Sequence, residues 1–144
     1  MFFTAILTYA FFWLLAEYYD LGEYERLMRY IDLGFASLAL LAFVPHNLKP
    51  YSLRSLGSSI QRLLHNLLSV VVFLSLPALI VVFQVAILPE AKFLGITGLV
   101  LIVITVLYVA ISMLKNGIDG AAELSFINGI SSWTIFVTIV TLLS

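Results

Sequence analysis

Long apolar runs separated by short polar breaks dominate the chain, and a simple length rule reads them. A helix rises about 1.5 Å per residue, so roughly 20 residues, within about 17 to 25, cross a hydrocarbon core about 30 Å thick. On that rule Leu67 to Leu88, Phe93 to Leu114 and Ala121 to Leu143 each predict a membrane-spanning helix. Phe2 to Ala16 is slightly short, with Trp13, Tyr18 and Tyr19 placed to anchor its far end at headgroup level. It lacks the positive start and small-residue cleavage pattern of a secretory signal, so it reads as a retained span.

The breaks between the runs carry helix signals. Ser58 and Gln61 predict an S-x-x-Q capping box ahead of the Leu67 run. Pro77 lies inside that run and cannot donate to the Phe73 carbonyl, which predicts a bend there, the freed group being met by Ser75 or a neighbouring helix. Pro89 closes the helix, Asn116 and Gly117 stop the next one, and Asp119 is placed to cap the last. The final run carries Ser125, Asn128, Ser131, Ser132, Thr134, Thr138 and Thr141, a polarity that predicts contact with other helices rather than lipid.

Residues 24 to 44 do not obey the rule so simply. Leu33 to Val44 is apolar but too short to cross, and counting about 20 residues back from Val44 brings in Arg29 and Asp32. Asp32 would then lie about 18 Å from the Val44 end, near mid-depth, where a lone charge costs about 2.5 to 3.5 kcal/mol. Glu25, Arg29 and Asp32 stand at i, i+4 and i+7 on one face, which predicts an inward-facing intramembrane pair of Arg29 and Asp32. The plainer alternative is a short helix dipping into one leaflet, its charged half in the interface beside Tyr24 and Tyr30. The expected architecture is an all-α integral membrane protein, a single domain over 1–144, with about five transmembrane helices, or four if residues 24–44 are interfacial.

Composition agrees with this pattern and excludes several functions. The chain is 62% hydrophobic and 10% charged, against about 25% charged in soluble domains. With seven Lys and Arg and a net charge of -1, it offers no basic surface for nucleic acid. The absence of cysteine removes disulfides, thiolate nucleophiles and cysteine metal sites. The segment His46 to Gln61 carries Lys49 and Arg54 and no acid, whereas Glu17 to Tyr24 carries Glu17, Asp20 and Glu23. The positive-inside tendency therefore puts the His46–Gln61 loop and the N-terminus in the cytoplasm, with the cell membrane as the expected location.

Three groups of residues invite a chemical reading. Arg62, His65, Asn66 and Ser69 share one stripe and could contact a lipid phosphate or quinone carbonyl, or simply meet headgroups at a helix entry. His46 and His65 are the two histidines of the chain; a bis-histidine haem through them is considered but poorly supported, one lying in a loop beside Pro45, and no cofactor or metal is expected. A proton path through Asp32 and His65 is physically allowed, without the repeats and broken helices of a transporter. Gly95, Gly98, Thr105 and Ser112 form a small-residue seam of the kind that lets helix backbones approach closely. Nothing resembles a nucleophile with its base, so no enzyme is expected.

The stretches "FVPHN", "RLLHNLLSVVVFLSLPALIV" and "NGIDGAAELSFINGISSWTIFVTIVTLLS" together resemble uncharacterised bacterial and archaeal multi-span proteins distantly akin to the DRAM/Frag/Sfk type, roughly over residues 43–144. The residues that carry the resemblance are Pro45, His65, Phe73, Gly120, Glu123 and Trp133; members commonly have six spans and a basic residue where this chain has Leu124. The resemblance implies a helical bundle and no activity. The expected function is a small non-catalytic membrane protein packing as an accessory or structural subunit with other membrane subunits, with itself, or among lipids. The alternative is a lipid-, quinone- or proton-handling protein using Arg29, Asp32, Arg62 and His65.

Overall fold

The computed structural model describes residues 2–31, 33–41, 43–44, 56–117 and 120–143. Among these residues the protein is all helical: α1 (Phe2–Tyr18), α2 (Tyr24–Ile31), α3 (Leu33–Leu41), α4 (Leu56–Ile87), α5 (Lys92–Asn116) and α6 (Gly120–Leu143). Helices α4, α5 and α6 are long and apolar enough to cross a membrane, and α1 is a shorter apolar helix. Position 32 falls between α2 and α3 and lies outside the described residues, as do Pro45, His46, Lys49, Arg54 and Asp119. The Asp32 half of the expected charge pair, the His46 ligand and the Asp119 cap are therefore not described.

The connections follow from local chemistry. After α1, the Asp20 carboxylate accepts the Gly22 N–H at 3.0 Å, and Gly22 turns the chain at φ +53, which a side chain would resist. Pro89 sits in the tight turn after α4, where Ala91 N–H still reaches the Ile87 carbonyl at 2.8 Å. Helix α5 stops at Gly117, whose N–H donates to Met113 at 2.8 Å. One expectation fails here. Because α4 already begins at Leu56, Ser58 and Gln61 lie within the helix rather than ahead of it. The helix also runs on through Pro77, and the Ser75 hydroxyl oxygen is buried with no hydrogen-bond partner among the described residues, so it does not serve the carbonyl freed by Pro77.

The rods alternate in direction. The Tyr19 hydroxyl shares a 2.9 Å hydrogen bond with Thr141, and its ring meets Phe83 at 5.7 Å, which gathers the ends of α1, α4 and α6 with the start of α2. At the opposite end, His65 bonds the Val44 carbonyl and faces Glu123, which gathers the end of α3 with the entries of α4 and α6. Helix α4 is the axis: α2, α3 and α5 pack on it, α6 packs on α5, and α1 packs on α3.

The core centres on Trp133, fully buried, with Phe12 stacked on it at 5.5 Å and Phe11 and Phe83 edge-on at 6.0 and 6.1 Å. Gln84, also fully buried, has its amide between the Trp133 indole N–H and the Leu94 carbonyl; turned to match these partners, its oxygen accepts the indole N–H at 2.7 Å and its nitrogen donates to the carbonyl at 3.0 Å. This one side chain links α4, α5 and α6 where no water can substitute.

The small-residue seam of α5 serves two neighbours. Gly95 and Gly98 are buried against α4, where a Cβ on Gly98 would overlap the Gln84 amide, whereas Thr105 meets Gly129 of α6. Ser112 is half-buried further along. The hydroxyls of α6 are used differently from the expectation. Ser132, Thr134 and Thr138 donate to carbonyls four residues back in their own helix at 2.8 to 3.0 Å, and Asn128, Ser131 and Ser132 are exposed on the surface of the chain. A hydroxyl satisfied within its helix needs no partner helix, so of this set Thr141 makes the cross-helix hydrogen bond.

Replacing Gly98 by Val should destabilise the protein by about 1 to 3 kcal/mol, as overpacking does. Gly120→Ala, at a position with nothing within 4 Å, should leave stability unchanged within about 0.5 kcal/mol. Denaturation of the two variants in the same mild detergent checks both.

Candidate functional site

A cleft of about 460 Å³ opens between α1, α3, α4 and α6. Its existence follows from the packing order. Helix α6 lies against α5, and its backbone makes few close approaches to α1 or α4. Side chains alone bridge that space, as Phe73 does by meeting Phe126 edge-on at 4.7 Å. The cleft runs along α6 from Glu123 to Ile135, about 18 Å of helix axis. Its walls are mainly apolar, with Leu38, Leu41, Val72, Leu76 and Phe126 turned inward from three helices.

One end of the cleft is polar. His65 on α4 is buried at 7% exposure, and Ser69 one turn further is buried at 4%. The His65 Nδ1 lies 2.7 Å from the Val44 carbonyl oxygen, which can only accept, so Nδ1 carries a hydrogen. Its Nε2 faces Glu123 Oε1 at 3.4 Å. A bare Nε2 and an ionised carboxylate are both acceptors, so this contact is a hydrogen bond only when one proton lies between them. Glu123 stands in the first turn of α6, where the helix dipole favours negative charge.

The expected polar stripe is therefore divided. His65 and Ser69 line the cleft, while Arg62 and Asn66 are half-buried and lie outside its lining. His65 and Ser69 are thus not an entry turn that merely meets headgroups. Glu123 entered the sequence reading only through a family resemblance, and its contact with His65 spans 58 positions of sequence. Gln84, a single amide in an apolar run, was a legible signal that the pattern reading passed over.

The charges of α2 lie elsewhere. Arg29 pairs with Glu25 one turn earlier, its Nε at 3.1 Å from Oε1, and the side chains are 76% and 48% exposed. Arg29 thus pairs within its own helix but points outward, not into the bundle. Both residues border a second, more polar hollow of about 230 Å³ with Trp13 and Glu17, at the end of the bundle opposite His65.

Compared with protein families, with curated proteins and with solved structures, the chain matches none.

A double-mutant cycle on His65→Leu and Glu123→Leu should give a coupling of about 0.5 to 3 kcal/mol in detergent denaturation, the range for residues in direct contact. Additive losses would show that the 3.4 Å contact contributes nothing.

Proposed function

We propose that this protein is a non-catalytic integral membrane bundle that binds a single-chain amphiphile in the cleft between α1, α3, α4 and α6. The observation that carries the reading is the cleft itself: about 460 Å³, mainly apolar, with His65 and Glu123 at one end and the hydroxyl-bearing Thr4, Thr8, Ser131 and Thr134 elsewhere along its walls. That volume lies within the roughly 300 to 1,000 Å³ of small-molecule sites. Its polarity also runs the way a lipid lies. Glu123 is close to the start of α6, at the boundary with water if α6 crosses the membrane, and the apolar wall leads from there toward mid-depth.

The reading includes five crossings, with α2 and α3 together forming the second. The alternating rods support it, as does the position of the Glu25–Arg29 pair beside Trp13 and Glu17 toward one end, where water and headgroups can solvate it. The His46–Gln61 segment and the N-terminus then share one side, taken as cytoplasmic from the charge bias. An accessory subunit of a larger membrane complex is the alternative, and one purification separates the two.

Isolated in mild detergent, the protein should carry an apolar-chain molecule at near one per chain by native mass spectrometry. Ser69→Phe, which fills the cleft, should abolish it; a stoichiometric protein partner with no small molecule would favour the accessory reading instead. The chain has no cysteine, so topology can be mapped with single substitutions. Glu23→Cys and Glu90→Cys should react from the same side of sealed vesicles and Lys115→Cys from the other. Labelling of Glu23→Cys and Lys115→Cys from one side would refute five crossings.

A further inference from the structure

The geometry points to a paired form of this protein, in which α6 of one copy packs along α6 of a second copy with Asn128 at the contact. The inference rests on α6 crossing the membrane, as in the five-crossing reading, and does not depend on what the cleft holds. Ser125, Asn128, Ser132, Ile135, Ile139 and Leu142 recur at alternating steps of three and four residues. That is the seven-residue repeat of a helix seam. All but the half-buried Ser125 are exposed, with Ile135, Ile139 and Leu142 at 60%, 52% and 79%. Asn128 lies five positions before the buried Trp133, about 140° round the helix, so the seam faces away from the core.

Lipid suits only part of this seam. Asn128 stands about 12 Å along the axis from Gly120, and Ser132 about 18 Å, at the middle of the helix. Ser132 donates its hydroxyl hydrogen to the Asn128 carbonyl at 2.8 Å, which leaves its oxygen able to accept. The Asn128 carboxamide carries two donor hydrogens and an acceptor oxygen, and it makes no hydrogen bond among the described residues. An acyl chain offers it nothing at that depth. A second copy does. Inserted the same way, it is related to the first by a two-fold axis along the membrane normal, which brings equal positions together at equal depth. The carboxamide is self-complementary, so each N–H can donate to the carboxamide oxygen, or to the Ser132 hydroxyl, of the other copy. An unrelated helix would need a polar group at the matching depth, whereas a second copy has one by construction. Ser125 and Ser132 are small enough to let the two axes approach beside Asn128, and Ile135, Ile139 and Leu142 extend the contact as apolar surface. A lone asparagine in such a seam also fixes its register. Asn128 and Ser132 lie outside the cleft lining, so pairing leaves the cleft's polar end untouched.

The test uses the full chain in phosphatidylcholine vesicles. Because the chain has no cysteine, Ser132→Cys on the seam and Ile104→Cys on the exposed side of α5 each introduce a single thiol. With iodine as oxidant, Ser132→Cys should cross-link into covalent dimers and Ile104→Cys should not. Energy transfer between dye-labelled copies, followed as the protein is diluted with lipid, gives the strength of pairing. Asn128→Leu should weaken it about threefold to twentyfold, the worth of an interhelical hydrogen bond in a membrane, and Ile104→Ala should leave it unchanged. A chain that stays monomeric at every protein-to-lipid ratio, or one that cross-links through Ile104→Cys and not Ser132→Cys, would overturn the seam. Pairing that survives Asn128→Leu at full strength would overturn the role of the carboxamide. In the same intact vesicles a membrane-impermeant maleimide should not label Ser132→Cys. Labelling there would overturn the bilayer placement of α6, an outcome distinct from failure of the pairing.

Discussion

The amide of Gln84 is the constraint around which the bundle is arranged. It lies at 0% exposure in the stretch Leu76–Ile87 of α4, which is otherwise apolar, and an amide in such a place must find partners within the protein. It finds the Trp133 indole on α6 and the Leu94 carbonyl on α5, which fixes the rotation of three helices about their axes at once. Gly98 supplies the space, because a side chain there would occupy the volume of the amide. Trp133, held by that bond, presents its faces and edges to Phe11, Phe12 and Phe83, and so draws α1 into the same cluster. Apolar contact alone discriminates poorly among helix rotations in lipid; a hydrogen bond with two required partners does not.

The same arrangement produces the cleft. Helix α6 is seated on α5 and makes few close backbone approaches to α1 and α3, so rings and aliphatic side chains are left to border an unfilled space. The His65–Glu123 pair marks one end of that space. A bundle built only to pack would tend to collapse over such a volume, because protein interiors reach crystal-like density with few large voids.

The charged helix α2 shows how position along a rod resolves an apparent cost. Glu25 and Arg29 would be expensive at mid-depth, but they stand near Trp13 and Glu17, at the end of α1 where aromatic and acidic residues collect. Met28 on the same helix is buried while Arg26 and Arg29 are exposed, so α2 carries one apolar side toward the bundle and a charged side away from it. Its neighbour α3, apolar throughout, continues the direction into the part of the bundle beside the cleft.

The amino-acid sequence by itself determined the helical class and the approximate extent of α1, α5 and α6, whereas α4 begins at Leu56, ahead of the Leu67 run, and residues 24 to 44 hold two helices. Long apolar runs, Pro89, the Asn116–Gly117 stop and the Asp20–Gly22 turn are local signals that need no partner to act. The seam of Gly95 and Gly98 was legible for the same reason, although which helix it meets was not. Tertiary structure alone decided which side of each rod faces protein, that His65 meets Glu123, that Gln84 bridges three helices, and that a cleft lies among α1, α3, α4 and α6. The reason is the solvent. Lipid is as apolar as a protein core, so a helix surrounded by it needs no amphipathic pattern, and inward and outward faces of α5 and α6 are written in the same residues. Only α2 carries a strongly two-sided pattern, and even there the expected sense was reversed, since the face of Glu25 and Arg29, read as inward, points outward.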